Sequence, residues 1–127
     1  MRNFSNSIQI KWYISYEILV FEKDDTKLQT AFLVWENLIL IEADSPEEAL
    51  DKAISHGKLS EEELLIDDEK GYCRFKGIRK LVPIYDELVD GVEIEWHEFE
   101  STKDQLRRMI PPKKKLQAFQ PLTNFEN

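Results

Sequence analysis

Few side chains in this sequence are of types that do chemistry, and they lie far apart. Cys73 is the one cysteine; His56 and His97 are the two histidines. A thiol nucleophile needs a base within hydrogen-bond reach. Cys73 instead sits in the strand-like run Tyr72-Cys73-Arg74-Phe75, where a small buried residue is ordinary. Zinc bound by His56 and His97 would want two more Cys or His, and Cys73 alone remains. His56 falls in a last helical turn, where a cation suits the helix dipole, and His97 on the polar face of a strand-like segment. The run EEELLIDDE, residues 61–69, holds six carboxylates. It lacks the spacing and glycine of a calcium-binding hand and reads as a solvated acidic loop. No phosphate-cradling glycine loop, G-x-S-x-G elbow or H-E-x-x-H pair occurs. The expectation is no catalytic residue, no metal and no cofactor, which points away from an enzyme.

Glu36 comes nearest to a buried functional acid. It stands between Trp35 and the run Asn37-Leu38-Ile39 in a segment that otherwise reads as core. A buried carboxylate needs a partner, and Arg74 or Arg79 could supply it. Glu36, Arg74 and Arg79 are therefore read as a structural ion pair or, second, as a binding site. The aromatic residues Trp12, Tyr13, Tyr16, Trp35 and Trp96 could stack on nucleic acid if the charge allowed it. It does not: the chain has a net charge of −8, and residues 1–101 hold 11 basic and 23 acidic side chains, a net of −12. Such a body repels phosphate, so core packing is the better account of the rings. Neither nucleic acid nor membrane is expected as a partner. The apolar runs Ile18–Phe21 and Leu38–Ile41 are far shorter than the ~20 residues of a membrane helix. The N-terminus shows no apolar leader, and a single cysteine fits a reducing compartment. A cytoplasmic location follows as the expectation.

The elements that must position these residues are legible from periodicity. Ile10 to Phe21 alternates as a half-buried strand. Trp12, Ile14, Tyr16, Ile18 and Val20 form a wholly apolar or aromatic face; Lys11, Tyr13, Ser15, Glu17, Leu19 and Phe21 form a mixed one. A polar turn at 22–27 leads to a second strand over 29–43, making a hairpin. ADSPEEALDKAISHG then predicts a helix, with Ser45 as N-cap, Pro46 at the first position, Glu48 completing a capping box and Gly57 as the stop. Leu59, Leu64, Leu65 and Ile66 suggest a short turn or strand edge before a Lys70-Gly71 turn. Residues 72–84 read as a third strand, with Gly77 marking a bulge or a close backbone approach. After an Asp90-Gly91 turn, 92–99 reads as a fourth. A short helix over 102–109 is stopped by Pro111-Pro112. The fold class is α+β: a mostly antiparallel four-stranded sheet in the order β-β-α-β-β, one main helix packed on it, a short C-terminal helix and an extended arm. One domain over 1–101 and a basic extension over 102–127 are expected.

Four pieces carry a family resemblance: KWY at 11–13; E-x-x-x-L-I at 36–41; EADSPEEALDKAISHG at 42–57; and RFKGIRKLVPIYDELVDGVEI at 74–94. In the last, Phe75, Gly77, Leu81, Glu87, Leu88, Asp90, Gly91 and Glu93 keep the spacing. Over about residues 10–100 the chain resembles DUF4288, a family of small bacterial proteins of unknown function. Two features depart from that pattern: no basic residue stands beside Glu36, and 102–127 lies beyond the usual domain. The resemblance implies a bacterial, cytosolic single domain. It implies no activity, cofactor or site residue.

Residues 102–127 hold six basic and two acidic side chains, a net of +4. Arg107, Arg108, Lys113, Lys114 and Lys115 supply the charge. Met109, Ile110, Leu116, Phe119, Leu122 and Phe125 supply apolar anchors that a purely solvated tail does not need, while Pro111, Pro112 and Pro121 favour an extended arm. The arm, with Phe119 and Phe125 as its aromatic contacts, is expected to pack along an acidic groove of its own domain or of a dimer partner. The functional expectation is a non-enzymatic protein-interaction module that forms a homodimer. Alternatives are a small-molecule or enzymatic domain with an aromatic cleft, or an immunity-type protein that neutralises a toxin through its acidic face.

Overall fold

The computed structural model describes residues 9–24 and 30–121. By compactness the chain divides into two units, Met1–Trp96 and His97–Asn127. The first contains strands β1 (Trp12–Lys23) and β2 (Leu33–Glu42), helix α1 (Pro46–Leu59), and strands β3 (Glu62–Ile66) and β4 (Glu69–Ile84). They build one antiparallel sheet in the spatial order β2-β1-β4-β3, so the fold is α+β as the sequence indicates. The second unit holds α2 (Lys103–Met109) and two 3-10 turns, Lys113–Lys115 and Gln117–Phe119.

β1 is central, and this changes the meaning of its alternation. Its mixed face, not the wholly apolar one, carries the helix. Tyr13 packs with Ile41, Ala43 and the helix residues Ala49 and Ala53, while Leu19 and Phe21 pack with Cys73. The apolar face is also covered at its middle, where Ile14 and Tyr16 cluster with Ile84 and touch Val82 and Leu88. Residues Tyr13 to Glu17 are all buried, so both faces of β1 are covered there and the half-buried reading gives way.

The start of α1 is as its sequence indicates. Ser45 is the N-cap, its hydroxyl accepting from the Glu48 N–H at 3.1 Å, and Pro46 opens the helix. Among the described residues the reciprocal half of the box belongs to α2, where Thr102 and Gln105 bond each other's backbone; the Glu48 carboxylate reaches Lys52 at 3.6 Å instead. Gly57 is not the stop. The helix runs on to Leu59, and Gly57 is buried within it. A β-carbon there would come within 3.0 Å of the Phe75 ring, so glycine is required by close approach to β4.

Two further expectations are corrected. The fourth strand is β3, and residues 92–99 join no ladder. Glu62 to Ile66 pairs with Cys73 to Glu69. This tight hairpin turns at Asp67 and Asp68, both at positive φ (51° and 65°), rather than at Lys70-Gly71. Asp tolerates that left-handed region better than most residues, which an acidic run conceals. The segment after the Gly91 turn is tied to the sheet by side chains, with Lys80 Nζ donating to Glu95 Oε1 at 2.8 Å. At Gly77 the bulge reading holds. The β1–β4 register slips between Tyr16 and Glu17 and again between Ile18 and Leu19, and Gly77 has φ +144°, open to glycine and costly for other residues.

Candidate functional site

Glu17 lies at the middle of β1, on the helix face, with 1% of its surface exposed. Its Oε2 is 2.7 Å from Nδ1 of His56, in the last turn of α1. The geometry follows from the cap and the small residues. Ser45 fixes where the helix begins, Ala49 and Ala53 let it lie on the sheet, and His56 arrives over Glu17 beside the Gly57–Phe75 contact. The His56 side chain is 46% exposed. Glu17 Oε1 and the hydroxyl of Ser15, also 1% exposed, are buried with no hydrogen-bond partner among the described residues. Asn37 stands directly opposite Glu17 on β2. Ser15, Glu17, Asn37 and His56 thus form a polar group on the covered side of the sheet. Sequence reasoning missed it. The available signal was Glu17 itself, a charge inside the run WYISYEILVF.

The opposite face of the sheet carries the ion pairs. Arg79 Nη2 donates to Glu36 Oε1 at 3.0 Å, and Arg79 Nε bonds Glu36 Oε2. The predicted Glu36–Arg79 pair therefore exists but is not buried: the two side chains are 31% and 54% exposed. β2 is an edge strand, so Glu36 faces water rather than a core. The Arg79 hydrogen bonds hold the Glu36 carboxyl below its ordinary value and raise the guanidinium's in turn. Arg74 does not join them. It donates to Glu22 Oε2 at 2.8 Å, beside Lys76 at 2.9 Å from Glu22 Oε1, and stacks on Tyr72 at 4.6 Å. Hydrogen bonding by Lys76, with a smaller contribution from Arg74, keeps the Glu22 carboxyl low against the opposing effect of burial. The bulge explains why the consecutive Arg79 and Lys80 both approach the Tyr16 ring, at 5.5 and 4.7 Å: Arg79 is the residue skipped by the ladder.

Cys73 is buried. Burial first, and then the charges of Glu62, Glu61 and Glu17, push its thiol up, away from a reactive thiolate. Among the described residues no three His, Cys, Asp or Glu side chains are grouped to hold a metal ion. In the second unit Arg107 pairs with Asp104 at 3.3 Å, and Lys113 lies 5.2 Å over the Phe119 ring. Arg108, Lys114 and Lys115 are exposed; Leu122 and Phe125 lie outside the described residues.

A third feature is β2 itself. Its outer side pairs with no strand among the described residues. Leu33, Val34, Trp35, Leu38 and Leu40 along it, and Phe32 just before it, are 43–57% exposed. Beyond Cys73 the outer side of β4 also has no strand partner among the described residues. That edge carries two bulges, a positive-φ glycine, Pro83 and a row of cations, all devices that discourage strand addition. β2 has neither proline, lysine nor bulge.

The model of a domain of unknown function, DUF4288, matches residues 12–96, more than half of the chain. The chain belongs to the DUF4288 family. The matched region spans β1 to β4 and includes Glu17, Glu36 and His56. No curated protein and no solved structure matches the chain.

Proposed function

We propose that this DUF4288 protein is a non-enzymatic protein-interaction module that offers the outer edge of β2 to a partner strand. One observation carries the reading: five apolar side chains, with Phe32 just before them, stand exposed along an edge strand that lacks the protection given to β4. Strand addition uses main-chain hydrogen bonds for affinity and alternate side chains for specificity. A row of exposed apolar residues at such an edge is a liability unless something covers it. No described helix is long and apolar enough to cross a membrane, and the reading places the module in a bacterial cytoplasm, where Cys73 stays reduced. Arg107, Arg108 and Lys113–Lys115, on a segment of net charge +4, would steer an acidic partner more than hold it.

A photo-crosslinking residue at Leu33 in the full chain, expressed in its native host, tests the reading. The same residue at Leu59, 87% exposed on α1, is the control. Covalent protein adducts are expected at Leu33 alone, and are expected to be lost when Val34 and Leu40 are both replaced by Lys. Failure to form an adduct at Leu33, or equal adducts at Leu59, overturns the proposal.

A further inference from the structure

The β2 edge also has a pattern that names its occupant. Resting on the strand-addition reading above, we infer that the partner strand is β2 of a second copy, paired antiparallel about a two-fold axis at Asn37. Two antiparallel copies of one strand related by a two-fold axis must place a residue opposite its own copy at the axis, because opposed side chains share a face. The ten-residue strand Leu33–Glu42 overlaps itself most fully when that residue is Asn37 or Leu38.

These two registers differ in what they oppose. With Asn37 at the axis, Leu33 faces Ile41, Trp35 faces Ile39 and Val34 faces Leu40 of the second copy. Apolar side chains then meet apolar ones along both faces. Asn37 meets Asn37, and two amides can exchange hydrogen bonds. Glu36 meets Leu38, while Glu42 stays outside the nine paired residues. With Leu38 at the axis, Asn37 is set against Ile39, and Val34 against Glu42. With Glu36 at the axis, two carboxylates face each other, which is unfavourable. Charge and polarity therefore select Asn37. The result is an eight-stranded sheet with β2 at its centre, and a closed two-fold pairing leaves only the blunted β4 and short β3 edges outside.

The register makes opposite predictions for two charges at one exposed site. Leu38→Glu would set a second carboxylate against Glu36 of the other copy, and Leu38→Lys would set an ammonium there. Each dimer contains the contact twice, so about threefold per contact becomes about tenfold between the two variants. The experiment is light scattering and sedimentation equilibrium of the full chain, with circular dichroism to check that both variants are folded. The parent is expected at twice its 15.1 kDa, Leu38→Lys as a dimer, and Leu38→Glu dissociating at about tenfold higher concentration than Leu38→Lys. A parent that is monomeric throughout the micromolar range overturns the inference; adducts of other mass at Leu33 would then leave the interaction module standing. If both variants dissociate alike, Leu38 is at the axis and the Asn37 register is wrong. If neither responds, the dimer forms elsewhere and the inference falls.

Discussion

Replacing Glu17 and His56 one at a time separates what the buried pair does for stability from what it is for. His56→Ala removes the partner of Glu17 Oε2 and leaves both carboxyl oxygens, in a side chain 1% exposed, with no partner among the described residues. Breaking a buried ion pair by removing one member costs about 3–5 kcal/mol. His56 is half-exposed, and its loss lets water approach, so the lower figure for a charged hydrogen bond applies, about 2 kcal/mol. Glu17→Met keeps the volume and removes both the buried carboxyl and an Oε1 that has no partner among the described residues. His56, left without Glu17, has solvent to bond. Swapping buried charges for apolar residues of similar size is often neutral or stabilising, so Glu17→Met is expected within about 0.5 kcal/mol of the parent, or above it. The double variant should match Glu17→Met within about 0.5 kcal/mol, since the demand that His56 satisfied is gone.

Urea unfolding at pH 7, followed by tryptophan fluorescence, measures all four proteins. The expected gap between His56→Ala and Glu17→Met, about 2 kcal/mol, corresponds to a melting difference of roughly 8 °C for a domain of this size. A Glu17→Met protein less stable than His56→Ala would refute the reasoning, because Glu17 would then be a net stabiliser. The expected order has the opposite meaning. A buried acid whose removal does not weaken the fold is held there at the expense of stability, and the Glu17–His56 pair becomes the first place to look for a role beyond folding.

Three other outcomes follow from local geometry. Gly57→Ala gains about 1 kcal/mol of helix propensity, yet overpacking against Phe75 costs about 1–3 kcal/mol; the variant should melt lower, with the loss relieved by Phe75→Leu, and a rise in melting temperature would refute the close contact. Cys73 is buried with its thiol pushed up, so iodoacetamide at about pH 8 should label native protein on the order of a hundredfold more slowly than protein in urea; equal rates would place the thiol at the surface. The Glu22 carboxyl is lowered from 4.5 by Lys76 and Arg74, so its stabilising effect is complete above the unfolded value and is lost as pH falls through the lower folded one. Melting temperature should therefore drop less between about pH 5 and pH 3 in Lys76→Met than in the parent, and equal drops would remove Lys76 as the cause.

Two glutamates show how far the sequence could be read. Glu17 and Glu36 both interrupt apolar strands; Glu36 is the one expected to be buried, although Glu17, between Tyr16 and Ile18, has the more apolar neighbours. The sheet reverses this: β1 lies between β2 and β4, whereas β2 lies outside. Strand order is settled by non-local pairing, and no window of a few residues contains it. Features set within one turn of chain were legible, among them the Ser45 cap and the Gly77 bulge. The Glu36–Arg79 pair, 43 residues apart, was legible only as one of two choices of arginine, and it is exposed where a buried pair is expected. Features set by an approach from elsewhere were not legible. Gly57 reads as a helix stop because glycine commonly is one, and only the Phe75 ring explains why it lies inside the helix. The strand at 62–66 was legible only in Leu64–Ile66, as a turn or strand edge, because its acidity also suits a loop, and 92–99 alternated convincingly yet found no ladder among the described residues. Periodicity reports which faces differ, not whether a neighbour pairs the strand or which face the helix covers. The same limit applies at Glu17. Its partner is 39 residues away, and the small residues that bring them together read, in sequence, only as good helix packing. What was legible at each end was an ordinary strand and an ordinary cap; the unusual feature, a buried carboxylate beneath a half-exposed imidazole, exists only where the two meet.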